Sequence, residues 1–163
     1  MRINKTFFII ITLIAATSMF CGRKPGEDNE GPCVPVEAPE NAEKLQIIDT
    51  KVGNGDEAKQ GMAVVVHYVG SLDGGQIFDD SRKSNKPFGF NLGQKELIKG
   101  WSMGIEGMRE GGTRKLIIPP HLAYGRCGLG NIISPDATLK FDIELLEVRD
   151  VPFERPGPVS LEQ

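Results

Sequence analysis

The 163-residue chain carries little equipment for metal or nucleophilic chemistry. Its two histidines, His67 and His121, form no H-x3-H or HExxH pair, and its three cysteines, Cys21, Cys33 and Cys127, form no CxxC. That spacing argues against a zinc site. There is no G-x-S-x-G, no P-loop and no GxGxxG; "GRCGLGN" is rich in glycine but fails the phosphate-loop spacing. The chain is therefore read as using no metal, no cofactor and no covalent catalysis. It also lacks a basic excess: 19 Lys and Arg stand against 22 Asp and Glu, for a net charge of −3. Nucleic acid as a bulk partner needs a basic footprint and is not expected.

Long apolar runs are confined to the start. "MRINK" is a short basic opening, "TFFIIITLIAATSMF" is continuously apolar, and Cys21 follows. The run is short for a membrane span and has the order of an export signal, so residues 1–20 are read as a signal peptide. Cys21 stands where bacterial lipoprotein precursors place their lipidated cysteine. Ser18 and Phe20 depart from that family's usual Leu and small residue, and cleavage after Ser18 is the alternative. A lipidated Cys21 would anchor an exported protein at the cell envelope or in the periplasm. Removing Arg2 and Lys5 leaves a mature net charge of −5.

Residues 21–43 hold Pro25, Pro32, Pro35 and Pro39, several acids and no apolar period, so they read as a disordered acidic tether. Residues 150–163, "DVPFERPGPVSLEQ", read as an irregular tail in which Phe153 can pack locally. Cys33 and Cys127 are read as independent thiols, with a disulfide as the alternative in an oxidising envelope.

Residues 44–149 are the folded candidate. "MAVVVHYVGSL" is β-branched and aromatic, with Val64, Val66, Tyr68 and Gly70 on one face. "KLQIIDTK", "KPFGFNLG" and "TRKLII" read as further strands, and after the turn "DGGQ" Ile77-Phe78 starts another short one. In "TLKFDIELLEVRD", Leu139, Phe141, Ile143 and Leu145 alternate inward with Lys140, Asp142 and Glu144 outward. "ELIKGWSMGIEGM" is the one helix candidate: Leu97, Ile98, Trp101, Ile105 and Met108 fall on one stripe. Gly100, Gly104 and Gly107 lie on an adjacent face, where another backbone is expected to come close. The fold class is α+β, mostly an antiparallel sheet folded over one short helix. Phe90 reads as core. The other aromatics, with Asp79 directly after Phe78, could line an apolar pocket with a few polar handles.

"VVHYVGSLDGGQIFDDS", "NKPFGFNLGQKELIKGW", "AYG" and "ATLKFDIELLEV" resemble the FKBP-type peptidyl-prolyl cis–trans isomerases over nearly all of Leu45 to Val148. The resemblance implies a twisted antiparallel sheet wrapped around one short α-helix. It also implies a pocket of Tyr68, Phe78, Asp79, Phe88, Leu97, Ile98, Trp101, Tyr124, Ile132, Ile133 and Phe141. By that resemblance Tyr68, Asp79, Tyr124 and Phe141 are the catalytic set, and Phe78, Phe88, Leu97, Ile98, Trp101, Ile132 and Ile133 bind substrate. Trp101 would form the floor. The Ile98 N–H and the Tyr124 hydroxyl would bind substrate carbonyls, and Asp79 would orient Tyr68 or face the reacting amide. Substrates would be proline-containing polypeptides, and ligands the macrolides tacrolimus and rapamycin. Two positions depart from the family. Ser84 stands where members commonly have an Arg that pairs with the aspartate, leaving Arg82 as the candidate substitute. Leu129 stands where some members have His. The implied function is isomerisation of X-Pro bonds in exported proteins; the alternative is a binding or chaperone module with weak turnover.

Overall fold

β-branched and aromatic residues make Ala63–Leu72 a long inner strand, because such side chains fit a pleated surface. In chain order the strands of the computed structural model are β1 (Gln46–Lys51), β2 (Ala63–Leu72), β3 (Ile77–Asp80) and β4 (Phe88–Asn91). They are followed by helix α1 (Lys99–Ile105), β5 (Thr113–Ile118), β6 (Leu139–Arg149) and β7 (Gly157–Pro158). The structure describes residues 43–155 and 157–158, all within the compact unit Pro32–Gln163. The signal peptide of residues 1–20, Cys21 and the tether up to residue 42 lie outside the described residues.

The seven strands form one sheet in the order β1-β5-β6-β2-β4-β7, with β3 also paired to β2. Every pairing is antiparallel. This is the α+β sheet expected from the sequence. β2 and β6 pair along their length, matching Tyr68 with Ile143 and Gly70 with Phe141. Pairing places partners on one face, so the alternation of both strands delivers Val64, Val66, Leu139, Phe141, Ile143 and Leu145 to one core. Each fully buried aliphatic side chain contributes roughly 1.5–3 kcal/mol.

That core lies between the sheet and α1. Gly100 and Gly104 are buried on the helix face toward β5. A Cβ at Gly100 would run into the Ile118 side chain, and one at Gly104 into Leu116. The glycines thus admit neighbouring side chains rather than a neighbouring backbone, which corrects the sequence expectation. Gly107 does not share this role. It has open space around it and φ +78°, so it serves the turn that ends the helix. The helix is only seven residues long, and Arg114 of β5 closes its C-terminal end. The Arg114 guanidinium donates to the Gly104 carbonyl at 2.7 Å and the Glu106 carbonyl at 3.1 Å. Asp49 on β1 takes its other donors at 2.6 and 3.1 Å. A cation there meets the negative end of the helix while its own buried charge is paired.

The long glycine-rich loop between β5 and β6 contains two 3-10 turns, Pro120–Leu122 and Gly125–Cys127. Leu129 N–H donates to the Ile133 carbonyl at 2.8 Å, folding the loop back on itself. The described residues after β6 include no helix, but they are held in place: β7 pairs with β4, and Phe153 packs beneath the Arg149 guanidinium.

Candidate functional site

The core face of the sheet gathers the aromatic residues around Trp101, which is 5% exposed. Its ring lies 5.0 Å from Tyr68, 5.2 Å from Phe141, 5.3 Å from Phe90 and 6.0 Å from Phe88 between centroids. The contacts to Tyr68, Phe141 and Phe88 are edge-on, the arrangement that ring quadrupoles favour. Phe78 meets Phe141 edge-on at 5.7 Å. The Trp101 indole nitrogen is buried and has no hydrogen-bond partner among the described residues. An unsatisfied buried donor costs roughly 1–3 kcal/mol, a cost that packing alone would not select.

Gly70 makes the Phe78–Phe141 contact possible. A Cβ on Gly70 would sit 2.7 Å from the Phe78 ring and 2.9 Å from the Phe141 ring. The sequence reading put Gly70 on the face of Tyr68 without giving it a role. Its signal was there: a glycine at an inward position of an otherwise bulky strand marks a close approach.

Tyr68 is held at both ends. Its hydroxyl donates to the Asp79 carboxylate. Its backbone is gripped by Ser81, whose Oγ accepts from the Tyr68 N–H at 2.8 Å and whose N–H donates to the Tyr68 carbonyl at 3.1 Å. Ser81 is buried, and its hydroxyl also lies 3.0 Å from His67 Nδ1. The sequence reading missed Ser81, since a serine in a turn carries no distinguishing spacing.

Burial, reinforced by the hydrogen bond to Asp79 and its charge, pushes the Tyr68 phenol well above its ordinary range. Burial and the charge of Asp79 raise Tyr124 as well. Both groups therefore stay protonated donors at any physiological pH. The Tyr124 hydroxyl has no hydrogen-bond partner among the described residues, and neither does the Ile98 N–H, whose own carbonyl accepts from Trp101 N–H at 3.1 Å. Ile98 is the residue before the helix, not a member of its first turn.

The second carboxylate oxygen of Asp79 accepts the Asp80 N–H at 2.8 Å. Arg82, the candidate substitute for the absent arginine, does not reach Asp79; it pairs with Glu144 at 2.6 Å. Ser84 donates to the Ser81 carbonyl at 3.1 Å, so it helps close the turn. Asp79 is thus partnered by a phenol and an amide rather than by a cation.

The remaining expected site residues divide. Leu97, Ile98, Phe78, Phe88 and Tyr124 are half-buried against the core around Trp101. Ile133 is fully buried within that core, while Ile132 beside it is 57% exposed and stands on the loop with exposed Leu129. Cys127, in the same loop, is disulfide-bonded, which corrects the expectation of an independent thiol. The other cysteines, Cys21 and Cys33, lie outside the described residues. Among the described residues no three His, Cys, Asp or Glu side chains are grouped to hold a metal ion. None of the described helices is long and apolar enough to cross a membrane.

The chain is similar to known proteins. The family model of FKBP-type peptidyl-prolyl cis-trans isomerases matches residues 55–146. The "FK506-binding protein" of Neisseria meningitidis serogroup B is 47% identical over 104 residues, covering 64% of this chain and 95% of that protein. "FK506-binding protein 4" of Aspergillus fumigatus is 44% identical over 128 residues, covering 78% of this chain. This chain spans only a quarter (25%) of that fungal protein's length. The crystal structure of FkpA from Escherichia coli superposes with a TM-score of 0.61 at 41% identity, over 66% of this chain and 49% of that one.

Proposed function

This chain belongs to the FKBP-type peptidyl-prolyl cis–trans isomerases, and on that premise we propose that it accelerates X-Pro isomerisation in exported polypeptides through its Trp101-centred aromatic pocket. The observation that carries the reading is the joint placement of Trp101, Tyr68, Phe88 and Phe141 around one point, with the Tyr68–Asp79 hydrogen bond at its edge.

Amide resonance holds the peptide bond planar behind a barrier of about 18–20 kcal/mol. X-Pro bonds populate both isomers and exchange slowly enough to limit folding. Lowering the barrier requires no nucleophile. A twisted amide has lost resonance and part of its charge separation, so it tolerates an apolar surrounding better than the planar amide does. A pocket that grips the prolyl ring and excludes water favours the twisted state over the ground state.

The roles follow from this chemistry. Trp101 is the floor beneath the prolyl ring, and Tyr68, Phe78, Phe88 and Phe141 are the walls. The Ile98 N–H and the Tyr124 hydroxyl, both free of intramolecular partners among the described residues, donate to substrate carbonyls. Asp79 fixes the Tyr68 ring and presents its negative charge to the pocket. Leu97 and Ile132 extend the apolar surface beyond the prolyl ring, and Ile133 supports it from the core. Tacrolimus and rapamycin would compete for the same surface.

We also read residues 1–20 as a signal peptide, Cys21 as a lipidation site and residues 21–43 as a tether at the cell envelope; the basic start, the apolar run and the cysteine that follows it support this reading. The second reading, a binding or chaperone module with weak turnover, draws on Leu129 and Ser84, the departures from the family's usual residues. A protease-free proline isomerisation assay on the full chain, with and without rapamycin, separates the two. Rapamycin-sensitive turnover supports the isomerase. Binding of a proline peptide without turnover supports the module.

A further inference from the structure

We propose that the segment following Arg149 is a strap that positions the β4 wall of the pocket, with Asn91 as the residue that fastens it. This deepens the isomerase reading and rests on it only for the kinetic part of the test. Asn91 is a polar side chain 8% exposed at the end of a four-residue strand. Its burial is explained by Phe153. Asn91 Nδ2 donates to the Phe153 carbonyl at 2.8 Å, and the Phe153 N–H donates to Asn91 Oδ1 at 2.8 Å. The amide side chain thereby reproduces the two-bond exchange of an antiparallel residue pair.

The other side of Phe153 is also held. The Arg149 guanidinium carbon lies 5.4 Å from its ring centroid, within cation–π range. Arg149, Ala63 and Asn91 form one row across β6, β2 and β4, so Phe153 is gripped from both ends of that row. On this outer face Ala63 and Val65 are fully buried although neither belongs to the core beneath the sheet. Farther on, Gly157 and Pro158 pair with Gly89 and Phe88. β4 is therefore an inner strand only because the segment returns. Strands with an unpaired edge open more easily, and Phe88 and Phe90 project from this one toward Trp101. The strap lies beyond residue 146, where the family match ends.

The test compares the full chain with Asn91→Ala and with a chain ending after Asp150. Three readouts are taken: amide hydrogen exchange along β4, Trp101 emission, and kcat and KM on a proline peptide. Asn91→Ala is expected to speed exchange at Gly89, Phe90 and Asn91 by roughly tenfold while β5 and β6 keep their protection. Trp101 emission is expected to change, and KM to rise roughly three- to tenfold with kcat within about twofold. The shortened chain should do the same more strongly; if it fails to fold, Asn91→Ala decides. Unchanged β4 exchange and unchanged emission in Asn91→Ala would overturn the proposal, as would an equal loss of protection in every strand. Should the full chain have no isomerase activity, exchange and emission still decide the strap while the isomerase reading fails separately.

Discussion

The Tyr68 hydroxyl donates to the Asp79 carboxylate across the β2–β3 hairpin, joining residues 11 apart in sequence. This bond fixes the Tyr68 ring, a wall of the proposed pocket, and places a carboxylate beside it. Hydrogen bonds to a charged partner contribute about 1.5–3 kcal/mol, so its removal has a measurable kinetic effect. Asp79→Val is expected to lower kcat/KM about tenfold with little loss of fold. Phe141→Tyr, which adds a hydroxyl to the apolar wall, is expected to lower it as well. Steady-state kinetics check both, and full activity in the two variants would remove these assignments.

The chain has two tyrosines, Tyr68 and Tyr124, and both are in the site. Burial raises both phenols above their ordinary value near 10. In the folded protein the ultraviolet tyrosinate band is therefore expected to stay small at pH 10, and in denaturant to reach about half its full height there. The sign for stability follows by linkage. Below about pH 10 both states hold these protons; above it the unfolded chain releases them first. The stability they contribute is thus intact below pH 10 and declines as pH rises toward the folded values. Tyrosinate absorbance and urea midpoints across that window check the expectation, and a native titration at pH 10 would contradict it.

Gly70→Ala is expected to push apart the Phe78 and Phe141 rings, which would sit 2.7 and 2.9 Å from the new methyl group. Overpacking of this kind costs roughly 1–3 kcal/mol. The larger effect should be on the pocket, with weaker peptide and macrolide binding. Trp101 emission titrated with rapamycin measures it, and unchanged affinity would contradict it.

Gly104→Ala tests the helix. On an exposed helix this change gains about 0.5–1 kcal/mol. Here the methyl meets the Leu116 side chain, so the expected sign is reversed, with a loss of about 1–3 kcal/mol in denaturant unfolding. A stabilised variant would show that the helix does not lie against β5 as described.

Cys127 is disulfide-bonded and shares its loop with Tyr124, Ile132 and Ile133. Dithiothreitol is expected to loosen that loop and weaken substrate binding while the sheet remains folded. Peptide mapping without reductant should find Cys127 cross-linked. Unmodified Cys127 in that map would contradict the bond.

The strands were legible because alternation in β2 and β6 follows directly from one buried face, and that same alternation placed Tyr68, Gly70 and Phe141 together. The helix stripe was legible from Trp101 and Ile105; Met108, which the same spacing included, is buried beyond the helix end. Contacts between residues distant in sequence left no such trace. No period links Asn91 to Phe153, 62 residues away, so the tail read as irregular. Arg82 lies close to Asp79 in sequence yet reaches Glu144, because strand register and not chain proximity sets which side chains meet. The glycine positions of α1 were correct as a close approach, but a sequence cannot say whether a backbone or a side chain fills the gap.

The central claim is that the aromatic pocket itself turns over X-Pro bonds. Magnetisation-transfer NMR on a proline peptide, with the full chain at catalytic amounts, tests it most directly. The account expects faster cis–trans exchange at unchanged isomer populations, lost on adding rapamycin. Peptide binding with exchange no faster than in free solution would contradict it.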